Sequence, residues 1–150
     1  MKTYVKAIFL VSFLILLSSF TKPDNTLNQK VMLSRLYVNT SQGEGVKEIF
    51  QLYDDGNYSY DLQKGTQVGE SVTGKLSKSQ FFTMKKLLHN GKIKFLSKKY
   101  DCKNDTTDAG DFLFYISMPS VTKRVHVAGS CTMPKGLKEL DDFVREIIEK

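Results

Sequence analysis

The chain has 150 residues, 41% of them hydrophobic and 25% charged, with no tryptophan, two cysteines and a formal net charge of +6. This composition fits one globular domain with one core, and no internal repeat, low-complexity tract or Pro/Ser-rich linker divides it. The basic excess is carried by lysine. Arginine is nearly absent from the lysine-rich stretch and no RRM, KH or zinc-finger pattern occurs, which argues against nucleic acid as a partner.

The chain opens with Lys2 and Lys6, then an apolar run from Ala7 to Leu17 broken only by Ser12, then Ser18 and Ser19. A charged start, a short apolar core and small residues are the signature of a secretory signal peptide. The run is short for a bilayer span, which needs roughly 20 apolar residues. Residues 1–21 are therefore expected to be a signal peptide, with a retained anchor as the alternative. No A-x-A triplet marks a cleavage point, and the absence of a nearby cysteine argues against an N-terminal lipid anchor. Removal of Lys2 and Lys6 lowers the formal charge to 6 − 2 = +4. The expected address is the periplasm or the exterior, without stable membrane insertion after cleavage. Residues 22–30 read as a disordered lead-in and 31–150 as a single domain.

Strand-forming residues from Lys30 to Val38 lead into a turn cluster at Asn39–Gly45. Val46 to Tyr53 alternates, with Val46, Glu48, Phe50 and Leu52 on one face and Ile49 and Tyr53 on the other. Asp54-Asp55-Gly56-Asn57 is a strong hairpin turn, because Gly and Asn tolerate positive φ. The return strand runs from Tyr58 to Leu62, and a fourth from Val68 to Leu76. Ser77-Lys78-Ser79-Gln80 is a capping box, in which the Ser and Gln side chains satisfy orphan amides of a first helical turn. Phe81, Met84, Leu87 and Leu88 follow at helical spacing, and Asn90-Gly91 ends the helix.

After Ile93, Phe95 and Leu96 the stretch Tyr100–Gly110, dense in Asp, Asn and Thr, reads as a loop. Asp111–Ser117 and Val121–Ala128 alternate as a second hairpin around Met118-Pro119-Ser120. Pro134 suits the start of a last helix, whose apolar stripe is Leu137, Leu140, Val144, Ile147 and Ile148. Strands joined by hairpins, with two helices, predict an α+β fold: an antiparallel sheet of about five to six strands with both helices on one face.

Chemistry-bearing motifs are sparse. Gly69-Glu70-Ser71-Val72-Thr73-Gly74-Lys75 matches a phosphate-binding loop up to its lysine, but Leu76 replaces the hydroxyl residue and the match spans a predicted strand. His89, His126, Cys102 and Cys131 lack any paired metal-ligand spacing, so no metal is expected. No nucleophile elbow or catalytic Cys–His pattern is present, and neither catalytic residues nor a cofactor are assigned. Cys102 and Cys131 fall outside the open end of the 111–128 hairpin and are expected to form a disulfide, worth about 3–4 kcal/mol by loop-closure entropy; two free thiols are the alternative. From Lys75 to Lys103 the only acid is Asp101, and Lys85, Lys86, Lys92, Lys94, Lys98 and Lys99 form a candidate surface for anions. A solvated helix face and loop is the plainer account of that run. Tyr53, Tyr58, Tyr60 and Tyr115 could line one sheet face as a docking surface, or form a core rim. With helices on one face only, the other must be polar or bind something.

The strings Leu52-Tyr53-Asp54-Asp55-Gly56-Asn57-Tyr58-Ser59-Tyr60, Thr73-Gly74-Lys75-Leu76-Ser77, Thr107-Asp108 before a hairpin, and Pro134 followed by Leu137-Lys138-Glu139-Leu140 resemble a family of small exported bacterial domains labelled only as a domain of unknown function. The resemblance spans about Leu33 to Lys150. Members of that family often carry a Cys…Gly-x-Cys-Pro turn before the second strand. Thr40-Ser41-Gln42-Gly43-Glu44-Gly45 stands there in this chain, so no redox role carries over. The resemblance implies a fold and a cell-envelope address. The function expected is a non-enzymatic binding or interaction module for an unknown protein or an anionic envelope component. The alternative is a metal-dependent or hydrolytic envelope enzyme using the Asp105–Asp111 loop.

Overall fold

The computed structural model describes residues 29–39, 45–67, 69–90, 92–101, 110–129 and 131–149. Seven strands form one sheet: β1 (Val31–Asn39), β2 (Val46–Tyr53), β3 (Asn57–Lys64), β4 (Ser71–Lys75), β5 (Lys99–Tyr100), β6 (Asp111–Met118) and β7 (Val121–Val127). Helix α1 (Lys78–Asn90) follows β4, a 3₁₀ turn (Ile93–Phe95) precedes β5, and helix α2 (Lys135–Ile148) follows β7. The sheet order is β4-β3-β2-β1-β6-β7-β5, so β1 is central. The class is α+β.

Two points depart from the expectation. The sheet has seven strands rather than five to six, and it is mixed, because β5 runs parallel to β7 while every other pairing is antiparallel. A strand of two residues, Lys99-Tyr100, leaves no alternation for a sequence to reveal. Its pairing depends on the 3₁₀ turn carrying the chain back alongside β7, where His126 N donates to Lys98 O (2.9 Å) and Ala128 N donates to Tyr100 O (3.0 Å).

Local chemistry explains the connections. Gly56 takes φ 85° in the β2–β3 turn, a conformation that costs glycine little and a side-chain-bearing residue more. The capping box at the start of α1 is reciprocal: Gln80 N donates to Ser77 Oγ (3.2 Å), and Ser77 N donates to Gln80 Oε1 (3.0 Å). Gly74 is demanded by its neighbour, since a Cβ there would lie 2.6 Å from the Tyr58 ring across the β3–β4 pair. The Gly69–Lys75 match thus lies largely in extended chain bonded to β3, not in a loop between strand and helix.

The core lies on one side of the sheet. Leu33, Phe50, Leu52, Phe114, Ile116, Val125 and Val127 meet Met84 and Leu88 of α1 and Leu137, Leu140, Val144 and Ile147 of α2 in one buried cluster. Within it sits a charge that the sequence reading did not single out. Arg35, fully buried in the central strand, donates from Nε to Asp141 Oδ1 and from Nη1 to Glu48 Oε2 (2.9 Å). Asp141 also accepts from Arg145 Nε (3.0 Å). Arg35 Nη2 has no hydrogen-bond partner among the described residues. Instead the guanidinium lies over aromatic faces, 5.2 Å from the Phe112 centroid and 5.9 Å from that of Tyr37. A buried charge survives only with such compensation. Among the described residues no helix is long and apolar enough to cross a membrane.

Candidate functional site

Because side chains alternate along a strand, residues adjacent to the core set in sequence point to the opposite face. The strand registers align them in rows. One row runs Asp61, Ile49, Leu36, Leu113, His126, Lys99 from β3 to β5, and the next runs Ser59, Gln51, Ser34, Tyr115, Arg124 from β3 to β7. The middle of this face is apolar and its β7–β5 side is basic. No described helix contributes to it. Leu113 is 43% exposed, one residue from Phe114 at 1%. A hollow of about 610 Å³ opens on the face, with Leu36, Leu113, Tyr115, Lys98, Arg124 and His126 among its lining residues.

The polar groups here are organised. The Arg124 guanidinium sits 5.6 Å from the Tyr115 ring centroid. His126 Nε2 lies 3.1 Å from Asp111 Oδ2, and Gly129 N donates to Asp111 Oδ1 (2.8 Å). The Asp111 carboxyl is held below its ordinary 3.8: the Gly129 N–H has the largest effect, burial opposes it, and the bond and charge of His126 and the charge of Lys99 lower it further.

The tyrosines anticipated as one surface divide between the two faces. Tyr58 and Tyr60 pair with Leu52 and Phe50 in register and pack against the core, whereas Tyr53 and Tyr115 belong to the opposite face. Burial, followed by the Glu48 charge, raises the Tyr60 phenol above its ordinary 10.0.

The six candidate lysines fall on different parts of the molecule. Lys85 lies over the Phe81 ring (4.2 Å) and lines a second hollow of about 350 Å³ with Lys30, Met32 and Asp54. Lys86 is exposed on α1, and Lys92 takes φ 51° where the chain leaves that helix. Lys94 covers the Phe95 ring (4.8 Å), Lys99 pairs with Asp101 (2.8 Å), and Lys98 alone of the six lines the open-face hollow.

Cys102, Asp105 and Asp108 lie outside the described residues. Cys131 is partly buried with its Sγ 3.4 Å from the Tyr100 carbonyl oxygen, at the end of β5. His89 ends α1, far along the chain from the His126–Asp111 pair, and among the described residues no three of His, Cys, Asp and Glu gather in a group fit to hold a metal ion.

Ile49, Leu36 and Leu113 were not singled out from sequence, although a signal existed. Strand β6 reads Phe112-Leu113-Phe114-Tyr115-Ile116, apolar or aromatic at both parities, the pattern of a strand with work to do on both faces. No protein-family model matches the chain, and no curated protein matches its sequence.

Proposed function

We propose that the protein is an exported, non-enzymatic binding module of the periplasm or cell exterior, with the open face of β1, β6 and β7 as its working surface. One observation carries the reading. The face turned away from the helices has a hollow that is apolar at its centre and bordered by Lys98, Arg124 and His126, the combination of an apolar floor and convergent polar groups that marks binding sites. The hairpin–helix–hairpin–helix order is compatible with kinship to the exported bacterial domains of unknown function. A Cys102–Cys131 bridge belongs to the same reading. Cys131 N donates to Ala128 O (3.1 Å) and Ala128 N to Tyr100 O, which brings Cys131 to the strand end two residues before Cys102.

Two measurements test this. Intact mass of protein from its native envelope fraction, with alkylation before and after reduction, should show loss of about the first twenty residues and thiols that react only after reduction. Full length with reactive thiols removes the exported address. Amide chemical-shift mapping of labelled protein against that fraction's extract should perturb Leu36, Leu113, Tyr115 and Arg124. Shifts confined to α1 and the 3₁₀ turn would move the working surface to the lysines.

The hydrolase alternative has one observation in its favour, the His126–Asp111 pair beside a hollow. A general base needs its nucleophile within about 3 Å. Ser34, an aliphatic hydroxyl on the same face, stands two strands from His126, on the order of 10 Å by strand spacing, and Ser59 lies two strands further away. The pair is better explained as a clasp closing the β7 end, tied through Asp111 to the Gly129 backbone.

A further inference from the structure

We propose that the open face takes an amphipathic anion of small-molecule size: a long-chain carboxylate whose chain lies over Leu36 and Leu113 and whose head group meets Arg124 and Lys98. The proposal rests on the open face being the working surface, and specifies what that surface selects.

Three features carry it. The first is the sign of the charge. Among the described residues lining the hollow, Lys98, Arg124 and His126 are basic and none is acidic. Asp111, the nearby carboxylate, is already occupied by His126 and the Gly129 N–H. Lys99 is paired with Asp101, but neither Lys98 nor Arg124 has an ion-pair partner among the described residues. Two unpaired cations beside an apolar floor favour an anion whose remaining surface is apolar.

The second is the orientation of Arg124. With its guanidinium against the Tyr115 ring, the side chain is held over the face while its N–H edge stays available for the forked contact that a carboxylate accepts. The third is the backbone. Strands β1, β6 and β7 are each hydrogen-bonded on both sides, β7 through β5 along part of its length. A strand adds only at an edge, so on the face itself recognition falls to side chains, which suits an acyl body. A volume of about 610 Å³ lies within the usual range for small-molecule sites, roughly 300–1,000 Å³.

The exposed Phe95 is a weaker candidate, because Lys94 already covers its ring.

The test titrates the full chain with three probes of equal chain length, dodecanoate, dodecanol and dodecyltrimethylammonium, below their aggregation concentrations. Amide shifts and calorimetry give the readout. Dodecanoate should bind saturably with shifts at Leu36, Leu113, Tyr115 and Arg124, and about tenfold more tightly than either other probe. Arg124→Ala should erase that preference, bringing dodecanoate and dodecanol to equal affinity; Leu113→Asp should abolish binding of all three. Both positions are surface-exposed, and a dispersed amide spectrum verifies the fold.

Equal binding of the three probes overturns the carboxylate assignment and leaves the working surface in place. Failure of all three by a monomer overturns the ligand, and the working surface is then decided by the extract mapping, where shifts that spare Leu36, Leu113, Tyr115 and Arg124 overturn it too. Failure by a dimer that Leu113→Asp dissociates overturns the ligand and assigns the face to a second copy of the chain.

Discussion

The two faces of the sheet are made by the same strands, and neighbouring residues meet opposite fates. Phe114 is 1% exposed beneath the helices, and Leu113 beside it is 43% exposed on the other side. On the covered face even an arginine is retained, because Asp141 and Glu48 accept its hydrogens and two aromatic rings take up its charge. On the open face His126 and Lys99 are paired with Asp111 and Asp101, Lys98 and Arg124 have no ion-pair partner among the described residues, and Leu113 stays in contact with solvent. Burial makes each residue of the first face costly to change. Residues of the second contribute less to stability, so its composition is the less constrained of the two by folding.

That comparison can be broken in several places. The largest effect is expected from truncation beneath the helices: Phe114→Ala should cost about 3–5 kcal/mol in denaturant unfolding, and Leu113→Ala under 1 kcal/mol. Similar costs at the two positions would mean that something covers the open face as well.

Arg35→Leu should cost about 3–5 kcal/mol, because it leaves Asp141 buried beside Arg145 without its strongest partner. Adding Asp141→Leu should recover much of that loss, since two apolar residues need no counter-charge. A double variant no better than the single one would show that the ion network is needed for packing, not merely tolerated. Smaller still, Ser77→Ala should cost about 1 kcal/mol by removing half of the reciprocal cap on α1.

The pH responses of the faces should oppose one another. Tyr60, on the covered side, has a folded pKa above 10.0, so its contribution is complete below about pH 10 and is lost as pH rises through the folded value. Asp111, on the open side, has a folded pKa below 3.8, so its contribution is present above that pH and is lost as pH falls through the folded value. Thermal melts of Tyr60→Phe and Asp111→Asn across pH should each flatten one limb, and the Asp111 change should be slight because the group is largely solvated. If neither limb changes, these groups are not coupled to folding in the way the contacts indicate.

Most elements were legible because their signals are local. The reciprocal Ser77–Gln80 cap, the Gly56 turn and the stripe Leu137, Leu140, Val144, Ile147 each depend on residues within a few positions of one another. The missed features depend on distance along the chain. Asp141 sits on the apolar stripe of α2, and only its meeting with Arg35 explains why a carboxylate belongs there. Tyr53, Tyr58, Tyr60 and Tyr115 looked equivalent as a composition, but which side each takes depends on the register of its strand. The two-residue β5 is too short for any periodicity.

By itself, then, the sequence determined the α+β class, the helices, the hairpin turns and the alternation within each long strand, since turn chemistry, capping and hydrophobic period act over a few residues. Only the tertiary structure decided that β5 joins in parallel, that Arg35 can be buried, and that Leu36 and Leu113 align across strands beside Arg124 and His126. Those outcomes depend on which strands become neighbours and in what register, and one step of register exchanges the two faces.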